Sequence, residues 1–282
     1  MSEKKLFDLH CHTTCSDGSV EPQELLRLAK EKGLLGLSIT DHDTIEAYNH
    51  VESLANELQI DLISGVEFSS HFNDVSIHIL AYAFSINNPE ILNFCSKHLL
   101  RRRERNLMIL EKLKKNNIFI EEEDLVINAK NAPICVGRPH IAHAMVKKGY
   151  VLSINDAFNR YIGEDGPCYH AGPRFSVEET LDVIKKAGGL AVIAHPHLIH
   201  NSKVEEALID LPFDGIEVFY ARFTEGQNNK WLQVALKKDL LVTGGSDFHG
   251  LAKPHISLGI SSAPYETFEF LKKHYKNESI IR

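Results

Sequence analysis

The segment LFDLHCHTTCSDG, Leu6 to Gly18, runs from an apolar stretch into His10 and His12 and reaches an aspartate at Asp17. Neighbouring strand side chains face opposite ways. His10 and His12 are therefore expected on one side with Leu6 and Asp8, and Phe7, Leu9 and Cys11 on the other, towards packing helices. A strand ending in His-x-His presents two imidazoles to one ion, but a short segment cannot supply a whole coordination shell.

The same feature recurs along the chain. TDHD ends an apolar run with Asp41, His42 and Asp43; GVEFSS carries Glu67 and VSIHIL carries His78. VIAHPH then gives His195 and His197, and GGSDFHG gives Asp247 and His249. Catalytic residues of (β/α) barrels gather at the C-terminal ends of strands, so the missing ligands are expected from other strands. A lone histidine at a strand end is more often a hydrogen-bonded structural residue than a ligand. The joint pattern reverses that, because burying many imidazoles and carboxylates without a cation is costly. Cys11 and Cys15 are a competing thiolate pair, disfavoured because Cys11 alternates to the other face. Imidazole with carboxylate suits Mn²⁺, Fe²⁺ or Zn²⁺.

Around these motifs short apolar runs alternate with helical patterns. EPQELLRLAKEKG reads as a helix with Pro22 in its first turn and Gly33 at its stop. TIEAYNHVESLANELQ, SKVEEALIDL, FTEGQNNKWLQVALKKD and ETFEFLKKHY read as further helices. DLISGVEFSS, VSIHILAYAF, GGLAVIAHPH, DGIEVFY and LLVTGGSDFHG read as strands, HISLGI as a weak one. Such alternation implies parallel βα units. With no glycine-rich dinucleotide fingerprint, a closed or distorted (β/α) barrel is favoured over an open sheet. Residues 88–174 break the rhythm: PEILNFCSKHLLRRRERNLMILEKLKKNN, EEEDLVINAK, RPHIAHAMVKKG and SINDAFNRYIG form a mostly helical insertion capping the barrel of 1–87 and 175–282.

The 282 residues suffice for one large barrel, and 43% hydrophobic with 24% charged residues is ordinary for a globular protein. A net charge of −7 argues against a general electrostatic grip on nucleic acid, not against a local basic pocket. Sixteen histidines are the compositional oddity. Five irregularly spaced cysteines suggest reduced thiols in a cytoplasm. Neither a signal peptide nor a membrane-spanning run of ~20 apolar residues is recognisable.

Local positive charge lies in the insertion. Of Arg101, Arg102, Arg103 and Arg105, the pair Arg102 and Arg105 shares a helix face and is favoured for substrate contact; the alternative is a solvated helix face. Arg138 and His140 open a helix, whose N-terminus favours phosphate. Tyr220 or Phe223 is a candidate to stack on a base, and packing is the alternative. Glu217 stands either behind a ligand, near a leaving group, or as a buried structural acid. No GxSxG or CxxxxxR nucleophile motif is present.

HCHTTCSDG, TDHDT, Glu67 of GVEFSS, AHP, GIEV and GGSDFHG resemble, in order, the signature blocks of the PHP (polymerase and histidinol phosphatase) family, over roughly residues 4–84 and 188–262. The GRPHIA block is similar to the TrpH-like branch, in which an insertion sits inside the PHP domain. The resemblance implies a distorted (β/α)7 TIM-like barrel, a trinuclear centre of Mn²⁺, Fe²⁺ or Zn²⁺, and phosphoester hydrolysis by a metal-bridged hydroxide. In this branch the substrates include nucleotides such as adenosine 3′,5′-bisphosphate and short 5′-phosphorylated RNA; no membrane or obligate protein partner is implied.

It further implies His10, His12, Glu67 and Asp247 around one ion, Glu67 with His78 and His195 around a second, and Asp17, His42 and His249 around a third. The residues nearest the chemistry would be Asp17, His42, Glu67, His195, Asp247 and His249. Asp17 replaces a histidine of some family members and favours a harder ion. Asp41 or Asp43 is expected to orient a ligand histidine. AHPH departs from the usual AHP followed by glycine, leaving the role of His197 open; His71 is an alternative to His78, which is favoured because it sits in an apolar alternating run, with His71 expected in the loop. A histidinol-phosphate type phosphatase and a non-catalytic metal-binding PHP module are the alternatives. A deacylating barrel of the amidohydrolase type fits TDHDT and SDFHG poorly.

Overall fold

A computed structural model describes residues 6–125 and 135–280. Lys4 and Lys5 of the first expected strand and residues 126–130 of EEEDLVINAK lie outside them. The chain opens with β1 (Leu6–Cys11), α1 (Pro22–Glu31), β2 (Leu34–Ile39), α2 (Glu52–Leu58), β3 (Asp61–Leu62), β4 (Gly65–Phe72) and β5 (Val75–Tyr82). A helical stretch follows with α3 (Pro89–Lys115), α4 (Arg138–Lys147) and α5 (Ile154–Ala157). The remainder is β6 (Phe175–Ser176), α6 (Val177–Lys186), β7 (Leu190–Ile193), α7 (Ser202–Ile209), β8 (Gly215–Tyr220), α8 (Glu225–Lys238), β9 (Leu241–Gly245) and α9 (Tyr265–Ile280).

The fold is α/β with two sheets, one ordered β1-β2-β3 and the other β6-β4-β5-β7-β8-β9. Isolated bridges between Cys11 and Phe248, and between His42 and Glu67, connect the first sheet to the second. Both bridges fall within the candidate ligand motifs, HCH with SDFH and DHD with GVE. Among the described residues, no helix is long and apolar enough to cross a membrane.

Local chemistry accounts for most boundaries. Pro22 opens α1, and Gly33 at φ 73 ends it, where only glycine is unstrained. Ser176 and Glu179 close a reciprocal capping box on α6, and Thr224 with Gln227 does so on α8.

Three expectations are corrected. The sheet is not purely parallel, because β5 runs antiparallel to both β4 and β7. Asn73 and Asp74, both at positive φ, turn the chain straight back and leave no room for a crossover helix. HISLGI is not a strand: Ile260 N–H donates to Ser257 O in a turn, and Gly259 N–H donates to Asp8 Oδ2 at 2.8 Å. Strict alternation also fails in β1, where the register slips between Asp8 and Cys11. Across this slip Phe7 and Leu9 belong to the apolar cluster of α9, whereas Cys11 belongs to that of Leu37 and Ile39.

Val66, Phe68, Ile77, Ile79 and Val218 face the outer helices in one core. Phe7, Leu9, Leu80, Tyr82 and Val192 form a second with Phe268 and Leu271 of α9. Burying each such side chain is worth roughly 1.5–3 kcal/mol, which fixes α9 against β1. The helical stretch has a separate cluster, built on Ile109, Leu113, Ile141, Met145 and Ile162.

Candidate metal centre

Glu67, buried on β4, is the hub. Its Oε2 lies 3.4 Å from His10 Nε2, 3.2 Å from His12 Nε2 and 3.1 Å from His42 Nδ1. Its Oε1 lies 2.8 Å from His78 Nδ1 and 2.9 Å from His195 Nε2. Asp247 Oδ1 closes the first group, 3.5 Å from His10 Nε2 and 3.3 Å from His12 Nε2. Asp17 centres a neighbouring group, with Oδ1 3.2 Å from His249 Nε2 and Oδ2 3.7 Å from His42 Nε2. Ligand-capable atoms of His12, Asp17, His42 and His249 all fall within 4.8 Å of one another. His42 thus stands between Asp17 and Glu67. His71 does not compete with His78, because its Nδ1 bonds Phe175 O at 2.8 Å and ties β4 to β6.

His10 Nε2, His12 Nε2 and His42 Nδ1 are buried and lack a hydrogen-bond partner among the described residues. An uncompensated buried imidazole nitrogen is costly, and several aimed at two carboxylates fit divalent cations. Burial pushes the Glu67 carboxyl up, yet His42, His78 and His10 outweigh it and hold it well below the carboxylate range. Asp17 is held down likewise by His249 and His42. Both acids are thereby kept ionised, the form that can bind a cation. Cys11 is not one: it donates from Sγ to Ser38 O, and burial drives its thiol well up.

Behind the ligands lies a tight frame. Glu217 on β8 is wholly buried, with Oε1 2.8 Å from His10 Nδ1. Asp41 accepts from Thr13 N–H at 2.7 Å, Thr13 Oγ1 at 2.6 Å and Ser16 Oγ at 2.5 Å, fixing the turn that delivers Asp17. Asp43 accepts from Ser69 N–H and Arg102. Among the described residues neither aspartate bonds a candidate ligand ring, whereas Glu217, for which a place behind a ligand is one of the sequence alternatives, does so at His10. Tyr220 also differs from expectation. It is buried, and its hydroxyl donates to Asp247 Oδ2 at 2.6 Å beside Lys253 Nζ at 2.6 Å, so it frames a carboxylate instead of stacking on a base. Phe223 is stacked on His197 at 4.5 Å.

A cleft of about 300 Å³ opens beside Asp17, His42 and His78. Its other wall carries Arg101, Arg102, Arg105, Arg138 and Arg174. Arg102 spends Nε on Asp43 at 2.6 Å and NH2 on Ser69 Oγ at 2.9 Å, while a Cβ on Gly137 would come within 3.2 Å of its NH1. Arg105 donates twice to Asn106 Oδ1, and its guanidinium is pushed down to about 9 by burial and then by Arg102 and Arg138. Arg138 packs between the rings of Phe158 and Tyr169, at 5.7 and 5.2 Å. Arg103 faces away and pairs with Glu122 in solvent. His140 is corrected: it is buried outside the cleft lining, and its Nδ1 accepts from Gly137 N–H at 3.0 Å. Arg101, set aside in the sequence in favour of Arg102 and Arg105, also lines the cleft and lies 3.1 Å over the Phe175 ring; Arg174 has no sequence signal, because only tertiary packing brings it there.

The PHP domain family profile matches residues 8–134. A 5′-3′ exoribonuclease of Haemophilus influenzae is 32% identical over 87% of this chain and 90% of its own. A 3′,5′-nucleoside bisphosphate phosphatase of Chromobacterium violaceum is 27% identical over 86% and 87%. The crystal structure of a metal-dependent phosphoesterase from Bifidobacterium adolescentis superposes with a TM-score of 0.86, at 31% identity and 96% coverage of both chains. Sequence kinship along nearly the whole chain agrees with a fold that gathers imidazoles around a buried glutamate: the chain belongs to the PHP family of metal-dependent phosphoesterases.

Proposed function

We propose that this phosphoesterase acts on phosphorylated nucleotides, nucleoside 3′,5′-bisphosphates among them, and on RNA carrying a 5′-phosphate. One observation carries the reading: the ligand cluster and the arginine wall face the same cleft. One end receives the phosphoryl group to be hydrolysed, and the other offers guanidinium forks to a second phosphate. The names of the Haemophilus and Chromobacterium relatives support this substrate class.

In this reading His10, His12, Glu67 and Asp247 hold one divalent ion, Glu67 with His78 and His195 a second, and Asp17, His42 and His249 a third. Mn²⁺, Fe²⁺ or Zn²⁺ there lowers the pKa of bound water and neutralises phosphoryl charge. The protein orients these ligands, keeps Glu67 and Asp17 ionised, and grips the distal phosphate through Arg102 NH1, Arg105 and Arg138. Arg101 and Arg174 widen that grip. We read β1, β2, β4, β5, β7, β8 and β9 as a distorted (β/α)7 barrel, supported by the two bridges between sheets. Residues 88–174 are read as an inserted cap, supported by their separate apolar cluster. The buried free thiols support residence in a reducing cytoplasm.

The test compares Mn²⁺-loaded protein on adenosine 3′,5′-bisphosphate, a 5′-phosphorylated oligoribonucleotide and histidinol phosphate. Faster turnover of either nucleotide substrate is expected. Preference for histidinol phosphate refutes the reading.

A further inference from the structure

Glu217 is fully buried in the middle of β8, between β7 and β9, which lead into His195 and Asp247. Each carboxylate oxygen has a separate task. Oε1 lies 2.8 Å from His10 Nδ1. Oε2 accepts the backbone N–H of His195 at 2.7 Å. A carboxylate accepts only, so it selects the His10 form that carries its proton on Nδ1. The Nε2 lone pair is then directed at the space shared with Glu67 Oε2 and Asp247 Oδ1, 3.4 and 3.5 Å away. At His195 the backbone has φ 27 and ψ 58, a left-handed conformation that non-glycine residues avoid. The bond from its N–H to Glu217 holds that conformation and leaves Nε2 at 2.9 Å from Glu67 Oε1.

We infer that Glu217 is a positioning residue serving two ion sites at once: it sets the tautomer of His10 and the backbone of His195, so that both rings turn their lone pairs to the Glu67 hub. The inference rests on the reading of His10 and His195 as ligands. It distinguishes Glu217 from a merely structural acid, because an isosteric amide fills the same space yet cannot perform both tasks. If the glutamine oxygen accepts from His195 N–H, its NH2 donates to His10 Nδ1 and moves the imidazole proton to Nε2. If the amide flips, its NH2 opposes the His195 N–H.

The experiment measures Mn²⁺ content and affinity of wild type, Glu217→Gln and His10→Ala by elemental analysis after dialysis against graded chelator, with thermal unfolding of the stripped proteins alongside. Glu217→Gln should retain Mn²⁺ about 10–100-fold less tightly while its stripped form unfolds within a few degrees of wild type. Unchanged retention in Glu217→Gln, beside a loss in His10→Ala, overturns the inference alone. Unchanged retention in both overturns the ligand reading as well. Nitrogen NMR of the histidine rings in Mg²⁺- or Zn²⁺-loaded wild type needs no variant: a protonated Nδ1 at His10 supports the inference, and a protonated Nε2 refutes it.

Discussion

Arg102 Nε donates to Asp43 Oδ2 at 2.6 Å, which ion-pairs the long helix of the insertion to the residue that follows His42. Asp43 sits at φ 56, and its other oxygen accepts from Ser69 N–H at 2.7 Å. Burial pushes its carboxyl up, but His98 and Arg102 prevail and hold it well below the usual range. Helix α3, strand β4 and the segment after β2 are thereby joined through one carboxylate.

Arg102→Ala therefore leaves a buried carboxylate without its cation, and we predict a loss of about 3–5 kcal/mol in stability. Asp43→Asn in the same background should recover part of it. Urea unfolding of the four proteins of this cycle gives the coupling; a value below about 0.5 kcal/mol would show that the two residues do not act as a pair.

Arg138, held between two rings at the cleft, is predicted to read a second phosphate. Arg138→Ala should raise KM for a nucleoside bisphosphate by about tenfold or more, since hydrogen bonds to charged groups contribute about 1.5–3 kcal/mol. A simple phosphate monoester should be less affected. Exposed Arg103→Ala is the control, and equal effects on both substrates would remove Arg138 from specificity.

His98 supplies a pH test. Burial pushes its imidazole down from 6.5 to about 4, against the pull of Asp43. Because the folded value is depressed, the stability linked to His98 is fully present above pH 6.5 and falls as pH drops towards 4. The loss amounts to about 3 kcal/mol at most. Stability measured across this window should be flatter in His98→Gln than in wild type; parallel curves would contradict the assignment.

The ligand motifs were legible because histidine is a chemically specialised residue repeated at strand ends, so His10, His42, His195 and His249 stand out against apolar runs. The geometry among them was less so. The slip between Asp8 and Cys11 is a backbone event set by pairing with β2, and alternation alone did not separate Cys11 from Phe7 and Leu9. The antiparallel β5 was hidden in a tight Asn73–Asp74 turn that resembles many loops. Tyr220 and His140 look like ligand-facing groups in isolation, yet each is consumed by a protein partner. For Glu217 the sequence offered a place behind a ligand beside two alternatives and could not choose, since a lone acid in an apolar strand does not show that its oxygens reach His10 and the backbone of His195.

Gly245 tests the contact between β1 and β9. A Cβ there would lie 2.4 Å from the backbone nitrogen of His10. Gly245→Ala should lower both stability and Mn²⁺ retention, because backbone must move at a ligand residue. Wild-type metal affinity in a folded Gly245→Ala protein would show that β1 tolerates displacement.

The most direct measurement pairs metal content with phosphate release in Glu67→Ala. Glu67 faces His10, His12, His42, His78 and His195, so its removal should strip divalent ions and hydrolysis together while the protein stays folded. A Glu67→Ala protein that keeps its full complement of ions and cleaves a nucleoside bisphosphate at the wild-type rate would contradict the account.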